Sequence, residues 1–341
     1  MEIKELGELG LIKKLTKQFT ASHPRVIKGI GDDASVTVQD ETKYLLCTTD
    51  TLVEDIHFFL KYTPSYTLGK KAVSISLSDI AAMGGTPTFL LTSIILPPST
   101  STDFINLLYK GIKERVDEFS VALIGGNTSS SPEKVVITSV VLGEAPKEQV
   151  VFRKGAMVGD LIFVTGRLGD SSLGLKMWKE KGDSVITDPF LKDAMLAHLD
   201  PFPRVKEGRI IAERRLATSM IDISDGLVAD LRHITEESMV GARIWLKKIP
   251  ISTSLKRWVI DHPQEIMLAL TGGEDYELLF TSSKDNVPQI EAIAKELGLP
   301  ITQIGEIAAK QSGISVLDEN GKVIPLKVEG ITLPFSNSKR L

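Results

Sequence analysis

A series of carboxylates in this sequence stands at predicted strand ends or beside glycines, where acidic side chains either cap helices or bind metal ions. The surrounding segments are otherwise apolar or glycine-rich, and several of the acids have no lysine or arginine close by in the sequence. If the segments converge in the folded chain, they need a compensating cation, because carboxylates held close together cannot all stay ionised. The acids, in the segments GIGDDA, TTDTLVEDIHF, LSDIAAMGG, DISDGL and GGEDYEL, are Asp32, Asp33, Asp50, Glu54, Asp55, Asp79, Asp222, Asp225, Glu274 and Asp275.

Magnesium is the simplest compensating cation for such a cluster. It is a hard ion that prefers oxygen ligands, and it binds through a few carboxylates together with substrate phosphates and water. Thr48 and Thr49 lie next to Asp50 and would add hydroxyl or main-chain oxygens. The acidic segments therefore predict a site that binds magnesium and phosphate together.

The segment DISDG joins a predicted strand, SMIDI, to a predicted helix. From this junction Asp222 and Asp225 can both face a metal, while Ser224 and the helix N-terminus face a phosphate. Each acidic segment taken alone is also typical of a turn or a helix cap. The occurrence of all five in one chain favours the magnesium–phosphate interpretation.

Sequence motifs of several other sites are missing. The chain has no G-x-x-x-x-G-K-[ST], no G-x-S-x-G and no H-E-x-x-H, and GIGDDA differs from the dinucleotide motif G-x-G-x-x-G. His57 is the histidine that lies within an acidic segment, and Arg153, in FRKGA, is either a phosphate ligand or a solvated linker charge. Tyr109 and Lys71 have helical spacing and are interpreted first as ordinary helix residues.

The composition is that of a globular protein large enough for two domains of roughly 150 residues. Its 341 residues are 42% hydrophobic and 25% charged, with a net charge of −4, so we expect no nucleic-acid partner. No apolar run approaches the roughly 20 residues of a membrane span, and the amphipathic start lacks the core of a signal peptide. The single cysteine, Cys47, lies in an apolar run and is predicted to be a core residue of a cytoplasmic protein.

Alternating strand and helix patterns predict an α/β or α+β fold. A break rich in glycine, proline and charge at 143–160 predicts a boundary between domains at 1–147 and 148–341. The first domain is predicted to contain strands at 44–49, 89–96, 121–126 and 134–144 and helices at 67–83 and 101–119. The second is predicted to contain strands at 161–166, 219–223, 242–246, 276–280 and 301–307, two helices within 188–217, further helices at 170–178, 226–239, 263–271 and 287–297, and a hairpin around Asn320 and Gly321.

The motifs of the chain resemble those of the thiamine-monophosphate kinases, in the same order, from about residue 5 to about residue 330. The matching segments are GIGDDA, TTDTLVEDIHF, SLSDIAAMGG, LIGGNT, VTGRLGDSSLGL, SMIDISDGLVADL, LTGGEDYELLF and ITQIGEI. The resemblance implies an α/β N-terminal domain that dimerises through its sheet, followed by an α+β C-terminal domain. It also implies the reaction of ATP with thiamine monophosphate to give ADP and thiamine diphosphate, with magnesium as the cofactor.

The same resemblance implies a role for individual residues. The implied metal ligands are Asp33, Thr48, Thr49, Asp50, Asp79, Asp222 and Asp225. The implied ATP contacts are Tyr109, Gly126, Asn127, Arg153 and Ser224. The implied substrate contacts are His57, Glu274 and Phe335.

The chain departs from the family pattern at three places. Asn127 stands where many members have Asp, so it is assigned to the nucleotide and not to a metal. Asp55 stands where Gly is common and adds negative charge beside His57. Ile331 follows Gly330 where an aromatic residue is usual, and Phe335 is the nearest aromatic.

The sequence leaves two other functions open. One is an ATP-dependent synthetase of the aminoimidazole ribonucleotide type, and the other is a non-catalytic nucleotide sensor with the same fold. The residues of the segments DTLVEDIHF and GGEDYEL favour the kinase over the synthetase. The number of acidic residues in the five acidic segments disfavours the sensor. For the kinase we expect direct in-line transfer without a phospho-enzyme. His57 then has a positioning role, because a phosphate acceptor with a second pKa of about 6 needs no strong base.

Overall fold

The structure is a computed structural model that describes residues 10–12, 14–17, 19, 23–182, 188 and 190–325. Phe335, predicted to contact the substrate, lies outside these residues. Within the described part, no helix has both the length and the apolar character that a membrane crossing requires. The fold is α/β, built on two sheets.

The first sheet has six strands in the order β1-β2-β3-β6-β4-β5. The pairs are antiparallel except β4 with β5, which are parallel because a helix connects them. Side chains alternate between buried and half-buried along β6, so one face of the sheet is covered and the other is open. The strands are β1 Val26–Lys28, β2 Ser35–Val38, β3 Lys43–Val53, β4 Thr86–Leu96, β5 Ala122–Ser130 and β6 Val136–Pro146.

Within the described range 23–147, the first half contains the α-helices α1 (Ser65–Ala82) and α2 (Thr102–Glu118). α1 is buried on nearly every side, because it packs against the first sheet and α2 on one side and against the second half of the chain on the other. α2 is amphipathic, and its apolar face, with Leu108 and Ile112, is buried against α1. α1 is thus the element that both halves of the molecule contact.

The second sheet has seven strands in the order β13-β12-β9-β11-β7-β10-β8. β7, β8 and β10 are buried along their whole length, as expected of strands covered on both faces. The strands are β7 Leu161–Thr165, β8 Ser219–Asp222, β9 Gly241–Trp245, β10 Leu278–Ser282, β11 Ile301–Ala308, β12 Ile314–Leu317 and β13 Val323–Ile324. The helices of this half are α3 Asp170–Lys181, α4 Lys192–Leu199, α5 Val205–Glu213, α6 Leu227–Ser238, α7 Thr253–Asp261, α8 Leu268–Thr271 and α9 Val287–Leu297.

The buried apolar residues form two clusters, and the larger crosses between the halves. It joins the first sheet and α1 to residues of the second half such as Val205, Met220 and Leu278. The predicted boundary after residue 147 falls in the connection between β6 and β7. The larger cluster extends across that connection, and the division into domains at 1–147 and 148–341 stays a prediction.

Several sequence predictions need correction. Cys47 is half-buried, and the prediction of a core residue is wrong, because the alternation along β3 turns it away from the side on which Leu46 is buried. The short strands β1 and β2 and the helix α7 were not predicted. The strand predicted at 276–280 begins at Leu278, since Glu274 and Tyr276 have φ of 66° and 51°, outside the range of a strand.

The crossing of α1 and α2 gives a stability prediction. A Cβ on Gly69 would lie 2.0 Å from the main-chain oxygen of Leu108, so Gly69→Ala forces the helices apart. We expect a loss of about 1–3 kcal/mol, the usual cost of overpacking, measured as a lower midpoint of thermal unfolding. Asn106→Ala, on the exposed side of α2, is the control because it improves helix propensity without a clash. Equal melting temperatures for Gly69→Ala and the unsubstituted chain would contradict the close crossing.

Candidate functional site

Three of the predicted aspartates meet where the two halves of the chain come together. One carboxylate oxygen of each of Asp33, Asp79 and Asp222 lies within 4.8 Å of the others. Asp33 belongs to the loop between β1 and β2, Asp79 to the last turn of α1, and Asp222 ends β8. Segments that are far apart in the sequence thus converge on one acidic cluster.

Asp50 extends this cluster along β3, and hydroxyl groups surround it. Ser76 donates a hydrogen bond to Asp50 at 2.9 Å, and Asp50 in turn shares a hydrogen bond with Asp79. Ser78 donates to Asp222 at 2.6 Å. Thr48 donates to Asp79. These hydroxyls satisfy part of the acceptor capacity of the carboxylates but add no positive charge.

The electrostatic state of the cluster follows from burial and mutual repulsion. Burial raises the pKa of Asp33 to about 6 and that of Asp222 to about 8. The pKa of Asp79 is raised well above its ordinary value by burial first, and then by the charges of Asp50, Asp222 and Asp33. The Arg153 guanidinium lies 2.5 Å from Asp33 and lowers the pKa of both Asp33 and Asp222, but burial outweighs it. Part of the cluster is therefore protonated near neutral pH in the metal-free protein, and Arg153 alone does not keep all of its carboxylates ionised.

The residues of the cluster fit a magnesium ion. Their donor atoms are all oxygens, which is the ligand set that Mg²⁺ prefers. The second carboxylate oxygen of Asp33 is buried and has no hydrogen-bond partner among the described residues. A buried acceptor without a donor is costly, and a metal ligand is one explanation for it. The grouping of carboxylates, the type of their donor atoms and the unsatisfied oxygen of Asp33 all favour a bound cation at this cluster.

The DISDG and GGEDYEL segments pack against each other beside the cluster. The Glu274 N–H donates to the Ser224 carbonyl and the Tyr276 N–H to the Ile223 carbonyl, both at 2.8 Å. Gly226 has φ of 118°, and a Cβ there would lie 2.9 Å from the Gly272 carbonyl, so glycine is required at this turn. The two predicted segments are thus one structural unit.

Asp230 supports this unit from α6, and the sequence analysis missed it. Its carboxylate accepts hydrogen bonds from the N–H groups of Asp225 at 3.1 Å and Gly226 at 3.0 Å. Burial and the nearby charges of Asp225 and Asp222 raise the pKa of Asp230 well above its ordinary value. An Asp four residues after the turn glycine, in the first turn of α6, is the signal that predicts such a support.

Glu274 has two partners that the sequence analysis did not assign. Its oxygens lie 3.0 Å from the Lys71 ammonium and 3.2 Å from Nδ1 of His198. Burial would raise the pKa of Glu274, but the charge of Lys71 and the hydrogen bonds from Lys71 and His198 hold it well below its usual range. Lys71 is therefore not the ordinary helix residue that its spacing indicated. A lysine among apolar residues of a buried helix was the available signal.

His57 is held in one tautomer. The Val53 N–H donates to Nδ1 of His57 at 3.0 Å, so in the neutral ring Nε2 has the proton. Asp55, where the family often has glycine, has φ of 67°, a conformation that favours glycine and that Asp tolerates. Its charge is paired with Lys134, which offsets the negative charge expected beside His57.

Other predicted residues lie away from the acidic cluster or have a structural explanation. The side chain of Thr49 is exposed on the opposite face of β3 from Thr48, which leaves only its main-chain oxygen for a metal. Tyr109 is partly buried against the core on α2. Gly126 and Asn127 lie on the exposed edge strand β5, and a Cβ on Gly126 would lie 2.0 Å from the carbonyl oxygen of Thr92. Their predicted contact with ATP stays a prediction.

Two family models match the chain, that of the AIR synthase related protein N-terminal domain at residues 31–145 and that of the C-terminal domain at residues 157–318. Together they cover most of the chain and most strands of both sheets. They define its class, a two-domain AIR synthase related protein.

Individual relatives narrow this class. The thiamine-monophosphate kinase of Buchnera aphidicola subsp. Schizaphis graminum is 38% identical over 94% of this chain and 97% of its own length, and that of Bacillus subtilis is 36% identical over 95% and 98%. The solved structure "AaThiL complexed with AMPPCP and TMP" is 36% identical, covers 96% of this chain and 97% of that chain, and has a TM-score of 0.82. The chain therefore belongs to the thiamine-monophosphate kinase family.

The repulsion within the cluster gives a prediction for the metal-free protein. The raised pKa values mean that the folded state binds more protons than the unfolded state, so stability falls as the pH rises from about 4 to about 8. Asp79→Asn removes one of the repelling charges. We expect it to stabilise the metal-free protein at pH 8 by about 0.5–2 kcal/mol, with a smaller gain at pH 5. Thermal unfolding at both pH values measures the effect.

The same variant is expected to lose most of the stabilisation that added Mg²⁺ gives the unsubstituted chain. Asp117→Asn is the control, since Asp117 is exposed and its pair with Lys113 contributes only about 0.3–0.5 kcal/mol. A destabilised Asp79→Asn protein with a full response to Mg²⁺ would contradict the cluster's role as a metal site.

Proposed function

We propose that this protein transfers the γ-phosphoryl group of ATP to thiamine monophosphate, giving ADP and thiamine diphosphate. The observation that supports this most strongly is the acidic cluster of Asp33, Asp50, Asp79 and Asp222 at the junction of the two halves. The full-length likeness to thiamine-monophosphate kinases, one of them in complex with AMPPCP and TMP, supports the choice of substrates.

Both substrates are polyanions, and their repulsion is the main obstacle to the reaction. At 4 Å, two unit charges repel by about 4 kcal/mol at an effective dielectric constant near 20. Asp33, Asp50, Asp79 and Asp222 would hold Mg²⁺, with Thr48, Asp225 and the main chain of Thr49 as further proposed ligands. A magnesium ion held by these residues would neutralise phosphate charge.

The residues of the chain position the reactants and do not supply a strong base. The acceptor phosphate is largely ionised at neutral pH, since its second pKa is about 6. Nε2 of neutral His57 has a proton, so this atom donates to an oxygen and does not remove a proton. We assign His57 to the acceptor phosphate and Arg153, next to Asp33, to the phosphates of ATP. Transfer is then direct, from one phosphate to the other.

The remaining assignments come from the resemblance. Tyr109, Gly126, Asn127 and Ser224 are proposed to contact ATP, and Glu274, together with Phe335, the thiamine part of the acceptor. A cytoplasmic homodimer is the proposed assembly.

The open face of the first sheet supports dimerisation. Phe89, Leu123 and Ile124 are 44%, 41% and 54% exposed in the single chain, and β5 is exposed along its length. Exposed large apolar side chains on two neighbouring strands, here β4 and β5, are typical of a protein interface. A second copy of the chain on this face would cover them and place β5, with Gly126 and Asn127, at or near the interface.

The decisive experiment is a Mg²⁺-dependent assay for thiamine diphosphate formed from thiamine monophosphate and ATP, with free thiamine as the control acceptor. Asp222→Asn should reduce turnover at least 10- to 100-fold, because loss of even an outer-shell partner of a metal has that effect, and added Mg²⁺ should partly restore it. Asp117→Asn should leave turnover unchanged, since Asp117 is exposed on α2.

Two results would defeat the proposal. ADP release that requires an amide-containing acceptor would instead indicate the synthetase. Binding of ATP without turnover on any acceptor would indicate a nucleotide sensor.

The proposed dimer gives a separate prediction. Ile124→Glu places a charge among the exposed apolar side chains of β4 and β5 and should convert the dimer to a monomer. Sedimentation equilibrium measures the mass, and Val323→Glu, at an equally exposed apolar position on β13, is the control. A monomeric unsubstituted chain, or an Ile124→Glu protein that stays dimeric, would contradict dimerisation through this sheet.

A further inference from the structure

Lys71 is a buried lysine in the middle of α1. Its side chain is 1% exposed, and its ammonium group lies 3.0 Å from the carboxylate of Glu274. A buried charge costs several kcal/mol unless it is paired. α1 belongs to the first half of the chain and the Glu274 segment to the second, so this ion pair crosses between them.

The other oxygen of Glu274 contacts His198 on α4. Nδ1 of His198 lies 3.2 Å from this oxygen and 3.1 Å from the hydroxyl of Ser171. Burial, together with the charge of Lys71, lowers the pKa of His198, so the ring is neutral near pH 7. Because an ionised carboxylate only accepts hydrogen bonds, the proton lies on Nδ1 and His198 donates to Glu274.

The backbone also fixes Glu274. Its φ of 66° is a left-handed conformation that is uncommon for a residue with a side chain. Its N–H donates to the carbonyl of Ser224 at 2.8 Å, beside the acidic cluster. Even with Lys71 and His198 in place, the side chain of Glu274 stays 26% exposed. It is therefore a fixed carboxylate with part of its surface available to a ligand.

We infer that Lys71 and His198 are positioning residues that hold Glu274 ionised and oriented to accept a hydrogen bond from the organic part of the phosphate acceptor. This inference rests on the proposed function, and it deepens that function by assigning the choice of acceptor to a three-residue unit. The acceptor needs an amino group on a ring or a cationic ring, and thiamine monophosphate has both. Neither Lys71 nor His198 takes part in the transfer of the phosphoryl group.

The first test is Lys71→Met, which keeps the length of the side chain and removes its charge. We expect the KM for thiamine monophosphate to rise roughly 10- to 100-fold, the value of a hydrogen bond to a charged group. The kcat and the KM for ATP should stay near those of the unsubstituted chain. An equal rise in the KM for thiamine monophosphate and the KM for ATP, or no change in either, would overturn the inference.

The pH profile separates positioning from a purely structural role. The groups that face Glu274 are Lys71 from α1, His198 from α4 and Tyr276 from its own segment. Without Lys71 the carboxylate takes up a proton at a higher pH than before. The KM for thiamine monophosphate in Lys71→Met should therefore increase more steeply as the pH falls than it does in the unsubstituted chain, because titration of the acceptor phosphate affects both proteins alike. Parallel profiles for the two proteins would count against the inference.

Two further designs keep the test valid if Lys71→Met folds poorly. The double variant Lys71→Met with Glu274→Gln removes both buried charges, so it should recover melting temperature but keep the raised KM for thiamine monophosphate. At the second partner, the amide of His198→Asn can take the place of the Nδ1 donor, whereas His198→Leu cannot. His198→Asn should retain a near-normal KM and His198→Leu should not.

Failure of the proposed function and failure of the inference on Lys71 and His198 give different results. If the unsubstituted chain makes no thiamine diphosphate, the proposed function falls and this inference falls with it. If the unsubstituted chain is active but the double variant regains a normal KM, or His198→Leu matches His198→Asn, only the inference is overturned.

Discussion

The structure depends on a conflict between burial and charge at Asp33, Asp50, Asp79 and Asp222. Burial and mutual repulsion raise the pKa of these groups, and the hydroxyls of Thr48, Ser76 and Ser78 solvate them without neutralising them. A buried group of carboxylates of this kind lowers the stability of the protein in the absence of a cation. Binding of Mg²⁺ to these carboxylates would relieve that cost, so the same groups that destabilise the free protein would favour its complex with two polyanions.

α1 connects the two charge arrangements of the site. Near its C-terminus it contributes Asp79 to a cluster in which the carboxylates outnumber the one cationic partner, Arg153. Two turns earlier it contributes Lys71, which pairs with Glu274 and holds that carboxylate ionised. One helix thus supports both the proposed site for cations and phosphates and the proposed acceptor for the organic part of the substrate. Because α1 is buried between the two halves of the chain, each of these sites contains residues from both halves.

Much of the site could be predicted from the sequence, because Asp33, Asp79 and Asp222 stand among apolar and glycine residues where surface acids are unusual. The other residues of the site are apparent only in the folded chain. Lys71 and His198 could not be assigned because their partner, Glu274, lies far away in the sequence. The fold was predicted where periodicity was strong, as in α1 and α2, whereas β1, β2 and α7 are short, and the open face of the sheet leaves Cys47 half-buried.

The most direct test of the cation site is anomalous X-ray diffraction from crystals of the protein soaked with Mn²⁺ and a non-hydrolysable ATP analogue. We predict an anomalous peak about 2 Å from carboxylate oxygens of Asp33, Asp79 and Asp222. Mn²⁺ bound only elsewhere, with these carboxylates directed into separate regions of solvent, would contradict the account.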